Sequence, residues 1–146
     1  MINVTVEGGK DLSAYMAAAA PSIDNAILDL AEHIYDYTVQ GAEAHFKTGN
    51  LVRSLGSGAK KVSDGWIIEH DLLIAKYAPF VHWGTRPHVI RPKNKKALQW
   101  VSGNNFITRK SANHPGYRGD PYMVRAAARA VEQFDAILTA RLNNVN

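Results

Sequence analysis

Four of the six histidines, His70, His82, His88 and His114, fall in the middle and later part of this chain, with Asp71 beside the first and Asp120 shortly after the last. Imidazole and carboxylate together can bind a metal ion or move protons. The spacing supports neither use: His82 and His88 are six residues apart across Gly84 and Pro87, and no H-E-x-x-H or H-x-H pair occurs. His33 and His45, in a helical stretch, are separated by about 18 Å along a helix axis, too far to share one ion. No serine has the G-x-S-x-G context of a nucleophile elbow. Gly56-Ser57-Gly58 lacks the spacing and the lysine of a phosphate-binding loop. There is no cysteine, which removes disulfides, thiolate zinc sites and thiol catalysis. The chain therefore reads as non-enzymatic, with a metal-dependent enzyme built on these histidines and carboxylates as the lesser alternative.

A second chemistry is electrostatic. Arg86, His88, Arg91, Lys93, Lys95 and Lys96 lie within eleven residues, with Trp83 and Trp100 on either side. Cations can neutralise phosphates while an aromatic ring stacks on a base, or they can meet an acidic protein surface. Pro87 and Pro92 break the stretch, so it is not a recognition helix. The formal net charge of +4 hides a division: residues 1–46 carry one lysine against seven acids, and residues 47–118 carry thirteen Lys and Arg against Asp64, Glu69 and Asp71. Nucleic acid, an acidic partner and self-association of acidic with basic segments are all compatible with it, beside the plain alternative of an uneven solvated surface.

Two long helical patterns flank this basic centre. At 146 residues and 46% apolar composition the chain fits one domain spanning residues 1–146. Ile2, Val4 and Val6 alternate as a short strand does, stopped by Gly8-Gly9. Ile23, Ile27, Leu30, Ile34 and Tyr37 form an apolar helical stripe ending near Phe46, with the helix either starting at Pro21-Ser22 or running continuously from Asp11. Gly49 marks a turn, and residues 51–59 read as a helical turn or a first strand. Asp64-Gly65 predicts a hairpin with Trp66 and Ile68 on one face and Ile67 and Glu69 on the other. Pro79 argues against a helix, so residues 80–83 read as packed aromatic chain stopping at Gly84. A second hairpin is expected across residues 97–110 with a four-residue loop at 102–105.

Residues 111–119 read as loop, tightest at His114-Pro115-Gly116. Asp120 and Pro121 then open the second helix, with Met123, Ala127, Ala130, Phe134, Ile137 and Leu142 as its stripe, helped by Val131 and Leu138, and residues 143–146 as a frayed tail. The expected class is α+β: two long amphipathic helices packed on a small twisted antiparallel sheet. The basic loop of residues 85–96 is expected to project as a contact arm. No secretory signal is visible and no segment reaches the roughly 20 apolar residues that span a bilayer, so synthesis and retention in a cytoplasm are expected, with no membrane contact.

The order of these markers resembles a known family. Thr48-Gly49-Asn50-Leu51 is followed by Arg53-Ser54-Leu55, then Tyr77-Ala78, Val81 and Trp83-Gly84-Thr85-Arg86, then His114-Pro115-Gly116 and Asp120-Pro121-Tyr122-Met123. Over roughly residues 12–140 this is similar to the tail-completion, or neck, proteins of long-tailed bacteriophages and their prophages. The chain departs from that pattern with Phe46-Lys47 before the Thr-Gly turn, where a proline is frequent, and with Trp83 where an acidic residue is frequent. The resemblance implies a structural virion protein acting at the head–tail junction, made in the bacterial host, and a homo-oligomeric ring in the virion. Its implied partners are tail terminator, head-closure or connector proteins, with DNA contact through the basic loop as a further implication, and it implies no cofactor.

Overall fold

The computed structural model describes residues 9–143, with side chains from residue 14 onward; the strand expected at Ile2, Val4 and Val6 lies outside them. The elements run α1 (Gly9–Glu43), α2 (Asn50–Arg53), β1 (Lys60–Val62), β2 (Gly65–Ile67), α3 (Ala78–Trp83), β3 (Gly84–Thr85), β4 (His88–Ile90), β5 (Leu98–Ser102), β6 (Asn105–Arg109), β7 (Ala112–His114), β8 (Tyr117–Arg118), α4 (Tyr122–Val131) and α5 (Phe134–Leu142). The class is α+β, as expected. Among the described residues the strands form four separate two-stranded antiparallel ladders instead of one sheet, and the long helix α1 packs against α4 and α5. No helix among the described residues is long and apolar enough to cross a membrane. The chain makes two compact units, one of residues 1–75 with 122–146 and one of residues 76–121.

In the first unit, α1 is one continuous helix with Pro21 inside it. A proline within a helix removes a hydrogen bond and costs about 3 kcal/mol. The four alanines before it, Ala17 to Ala20, have the highest helix propensity and oppose that cost. The expected stripe of large residues is only half-buried, and Ile27 is exposed. The deepest positions of α1 are small: Ala19, Ala26, Ala31, Thr38 and Ala42. On α4 the buried residues are Tyr122, Ala126 and Ala130, four residues apart and therefore on one face. Small side chains let the helix axes approach, and the large residues close the sides of the seam. Gly41 shows how close: a Cβ added there would lie 2.6 Å from Tyr122 Cβ.

The second helical pattern is divided in two, with residues 132–133 as a turn between α4 and α5. Gln133 N–H bonds Ala130 O three residues back, which tightens the chain, and the Gln133 amide bonds the Tyr37 hydroxyl (3.0 Å). Arg129 lies over the same tyrosine ring at 3.9 Å. Val131, expected to help the stripe, is exposed; Phe134, Ile137, Leu138 and Leu142 are half-buried as the spacing requires. The α5 end is pinned by a bidentate pair, Arg141 Nε to Asp29 Oδ2 (2.6 Å) and Arg141 NH2 to Asp29 Oδ1 (2.7 Å). Met16, Ile23 and Leu30 share one α1 line at seven-residue spacing, yet Met16 is 57% exposed while Ile23 and Leu30 are half-buried.

The Arg141 hydrogen bonds hold the Asp29 carboxyl below its ordinary range. A depressed carboxylate contributes stability above its unfolded pKa of about 3.9 and loses it as pH falls through the lower folded value. Asp29→Asn should therefore lower the melting temperature slightly at neutral pH. The gap to the parent should close below about pH 4, as read by circular dichroism melts across a pH series. A constant gap down to pH 2 would show that the side chain acts by packing.

Between α1 and α2 the helix ends at Glu43, earlier than the expected Phe46; residues 44–46 form a turn and Phe46 is exposed. Gly49 takes φ 73°, as its turn role requires, and Asn50 begins a helical turn. That settles the 51–59 alternatives: α2 and the turn after it bury Leu51, Ser54 and Leu55, and no strand forms before Lys60 among the described residues. The β1–β2 hairpin turns at residues 63–64, with Val62 opposite Gly65. Trp66 and Ile68 are half-buried while Ile67 and Glu69 are exposed, which is the expected alternation.

The second unit begins with a correction. Residues 78–83 are helical, because Pro79 stands in the first turn, where its missing N–H costs nothing. Phe80 and Trp83 point to solvent instead of packing, and His82 is the buried aromatic of that helix. Residues 111–119 are corrected likewise: they hold β7 and β8, paired with β4 and β3. Gly84 faces Arg118 and His88 faces His114 in one continuous register. Residues 84–90 and 112–118 are therefore one antiparallel ribbon, interrupted where Pro87 and Pro115 can supply no N–H to the ladder. Beyond it β5 and β6 form the expected hairpin, but Ser102 pairs with Asn105, so the loop is two residues with Gly103 at φ 60°.

Candidate functional site

The basic arm is built from this ribbon. Seven residues, 91–97, separate β4 from β5, whereas two, 110–111, separate β6 from β7 on the other strand. The excess chain bulges out and carries Arg91, Lys93, Lys95 and Lys96, all exposed. The expectation of a loop over residues 85–96 is thus half right: residues 88–90 are a strand, as are 84–85, and only the later part is loop. Arg86 is exposed at the ribbon's interruption, opposite Gly116. The whole second unit holds nine Lys and Arg against one acid, Asp120, and no acidic residue lies between Asp71 and Asp120. At this density the cations repel one another, and a partner of negative charge relieves that repulsion.

The ribbon is also apolar on its surface. Val101 and Phe106 face each other across β5 and β6, and Phe106 is 84% exposed. Trp100 pairs with Ile107 on the opposite face, and Val89 and Ile90 of β4 are exposed beside Arg91. Among the described residues each ladder has two strands, so each strand has one edge outside its ladder. Trp83, on α3, is 72% exposed.

Glycine geometry holds the base of this unit. Gly84 has φ 80° and ψ −173°, and a Cβ there would fall 2.3 Å from Tyr117 O and 2.4 Å from Gly119 N. Gly116 stands in the same situation against Thr85 O. Pro115 and Gly116 make the turn between β7 and β8, and Asp120 N–H bonds Val81 O (2.9 Å) just before Pro121 and the start of α4. Helix α4 begins at Tyr122, directly after the Asp120-Pro121 pair expected to open it.

The histidines separate into different environments. His88 and His114 stack at 5.0 Å between centroids, tilted by 25°. His88 Nδ1–H donates to Arg86 O (2.8 Å), while His114 Nδ1 accepts from Gly116 N–H (3.1 Å), so the His114 proton stands on Nε2. The two rings contact each other across β4 and β7. His82 is buried with its ring edge against Trp83. Asp71 uses its carboxylate to accept Leu73 N–H (2.8 Å). Among the described residues no three His, Asp or Glu side chains stand together as metal ligands.

His70 belongs to a network that spacing did not reveal. Ser54 Oγ–H donates to Leu51 O (2.7 Å), which leaves Ser54 Oγ as acceptor for His70 Nδ1–H (2.6 Å). His70 Nε2 then accepts from the Tyr122 hydroxyl (2.5 Å). Ser54 and Tyr122 are buried, so the chain ties α2, the segment after β2 and the start of α4 together. Its sequence signal was a serine between two leucines, Leu51 and Leu55, that are both core. That signal left a helical turn and a strand open and named no partner.

The chain matches no family model, and no curated protein or solved structure is significantly similar to it.

Proposed function

We propose that this chain is a structural assembly protein of a bacteriophage, acting in tail completion at the head–tail junction, and that the second unit is its contact arm. The observation that carries the reading is the surface of that unit: a two-stranded ribbon with open edges, exposed Phe106, Val101 and Trp83, and a bulge of exposed cations. An isolated two-stranded ribbon is marginally stable, and one with large apolar groups on both faces gains most by docking. Its partners in this reading are other copies and the neighbouring terminator, head-closure or connector proteins, with the virion as its place of action.

In a lysogen producing the phage, removal of this protein should leave filled heads and tails unjoined in electron micrographs. Normal particles in its absence would sink the reading. Complementation with Lys95→Glu/Lys96→Glu should restore folding but not joining. The yield of joined particles should fall tenfold for every ~1.4 kcal/mol by which the charge reversal weakens binding, and an undiminished yield would remove the arm from assembly.

A second reading is favoured by exposed Trp83 and Trp100 among the cations: the same arm holds nucleic acid by phosphate contacts and ring stacking. Binding of unrelated duplex or single-stranded DNA that weakens steeply with salt would support it.

A further inference from the structure

We infer that the cationic bulge of one copy docks on the outer acidic stripe of α1 in a second copy of the same chain. The inference rests on the assembly reading and names one of its partners. Its first support is that charge separates by unit: residues 76–121 sum to +8, and the remaining residues sum to −4. Each copy thus carries a donor surface and an acceptor surface of opposite sign.

The acceptor has a defined shape. Glu32, Asp36 and Glu43 are spaced by four and seven residues, which places them on one helix face, and all three are exposed. Asp36 and Glu43 lie away from the line of Ala26, Thr38 and Ala42 against which the other helices pack, and Glu32 borders α5 beside Ile137 and Arg141. No lysine or arginine interrupts the sequence between Lys10 and Lys47, so α1 itself adds no cation to the stripe. Arg141 is engaged by Asp29, while Asp36 and Glu43 take part in no ion pair among the described residues.

The dimensions agree. From Glu32 to Glu43 the helix rises about 16 Å. The six residues from Arg91 to Lys96 bend from residue 93 onward and span less than the ~20 Å of an extended segment, so the clustered cations meet the part of the stripe that holds Asp36 and Glu43. Two different patches are used on each copy, which makes the contact heterologous. Such a contact repeats from copy to copy and closes into a ring where the rotation allows.

Light scattering of the purified chain at about 50 mM salt should give multiples of 16.1 kDa, collapsing to one copy at about 1 M, where the Debye length falls to about 3 Å. Lys93→Glu/Lys95→Glu/Lys96→Glu and Asp36→Lys/Glu43→Lys should each be monomeric at low salt. An equimolar mixture of the two should regain the higher mass, because reversed bulge meets reversed stripe and parent bulge meets parent stripe. A parent chain monomeric at every salt concentration overturns the inference, as does a mixture that stays monomeric while both variants retain their helical circular dichroism. So does higher mass that appears only when duplex DNA is added. If a reversed variant loses helical signal, the neutral pair Asp36→Asn/Glu43→Gln should still lower the mass at least threefold, and no change in mass would overturn the docking. Heads and tails that join without the protein would reject the tail role and leave the mass result standing; a monomer would reject self-docking and leave the tail role standing.

Discussion

Gly41→Ala should destabilise the first unit even though alanine is the better helix former. Glycine inside a helix costs roughly 0.5–1 kcal/mol relative to alanine, so propensity alone predicts a gain. The packing predicts a larger loss. The new Cβ would lie 2.6 Å from Tyr122 Cβ and 3.2 Å from its Cγ and Cδ2. Because Tyr122 Cβ is attached directly to the α4 backbone, no rotamer change moves it away, and α1 and α4 must separate. Overpacking of this kind costs typically 1–3 kcal/mol, leaving a net loss of roughly 1–2 kcal/mol after the propensity gain. Separation also stretches the Tyr122 hydrogen bond to His70, so the Ser54–His70–Tyr122 chain and the helix seam fail together. Gly41→Leu should exceed what a domain with about 5–15 kcal/mol of stability tolerates comfortably. Urea unfolding followed by helical circular dichroism measures both. A Gly41→Ala midpoint above the parent's would mean that the helices do not meet at Tyr122.

Gly84→Ala should disorder the ribbon of the second unit while leaving the first intact. Two costs combine. Its φ of 80° with ψ −173° is a region essentially restricted to glycine, with a strain of about 1–3 kcal/mol for other residues. The added Cβ would also meet backbone on both sides, Tyr117 O at 2.3 Å and Gly119 N at 2.4 Å. These atoms belong to the strand it pairs with and the residue just after it, so the clash opens the β3–β8 ladder directly. Gly103 provides the control, since it has φ 60° with open space around it. Gly103→Asn should cost only a few tenths to about 1 kcal/mol, because asparagine tolerates the left-handed region. Hydrogen exchange by mass spectrometry separates the outcomes. In Gly84→Ala, residues 84–90 and 112–118 should lose protection while α1, α4 and α5 keep theirs, and the Gly103 variant should match the parent. Protection retained at residues 112–118 in Gly84→Ala would show that the two strands are held by something other than this close crossing.

Much of the chain was legible because its signals are local. Helix α1 announces itself by periodicity from Ile23 to Tyr37, while its continuation back through Pro21 is one of two readings that the residues allow. The two hairpins are set by Asp64-Gly65 and Gly103-Asn104 with β-prone residues on each side. The charge division is plain in the residue order, and the exposed cations of residues 91–96 stand where the basic stretch put them. The α+β class follows from these elements.

Other features depend on segments far apart in sequence. The large stripe residues of α1 predicted a seam, but alanines and Thr38 occupy its centre, because the axis separation is decided by the smallest facing groups and Gly41 faces Tyr122. Pro79 looked like a helix breaker, and only the starting point of α3 decides whether its missing N–H matters. Strands of two or three residues such as β7 and β8 carry too few positions to show alternation, and their identity comes from β3 and β4 more than twenty residues earlier. The positions of the two long helical stretches and the two hairpins, and the acidic or basic character of each stretch, follow from the order of residues, since neighbouring residues set backbone preference and charge is a property of composition. Which small residues meet, that His70 joins Ser54 to Tyr122, and that the basic stretch is half ribbon and half bulge depend on atoms brought within a few ångströms by the packing of distant segments.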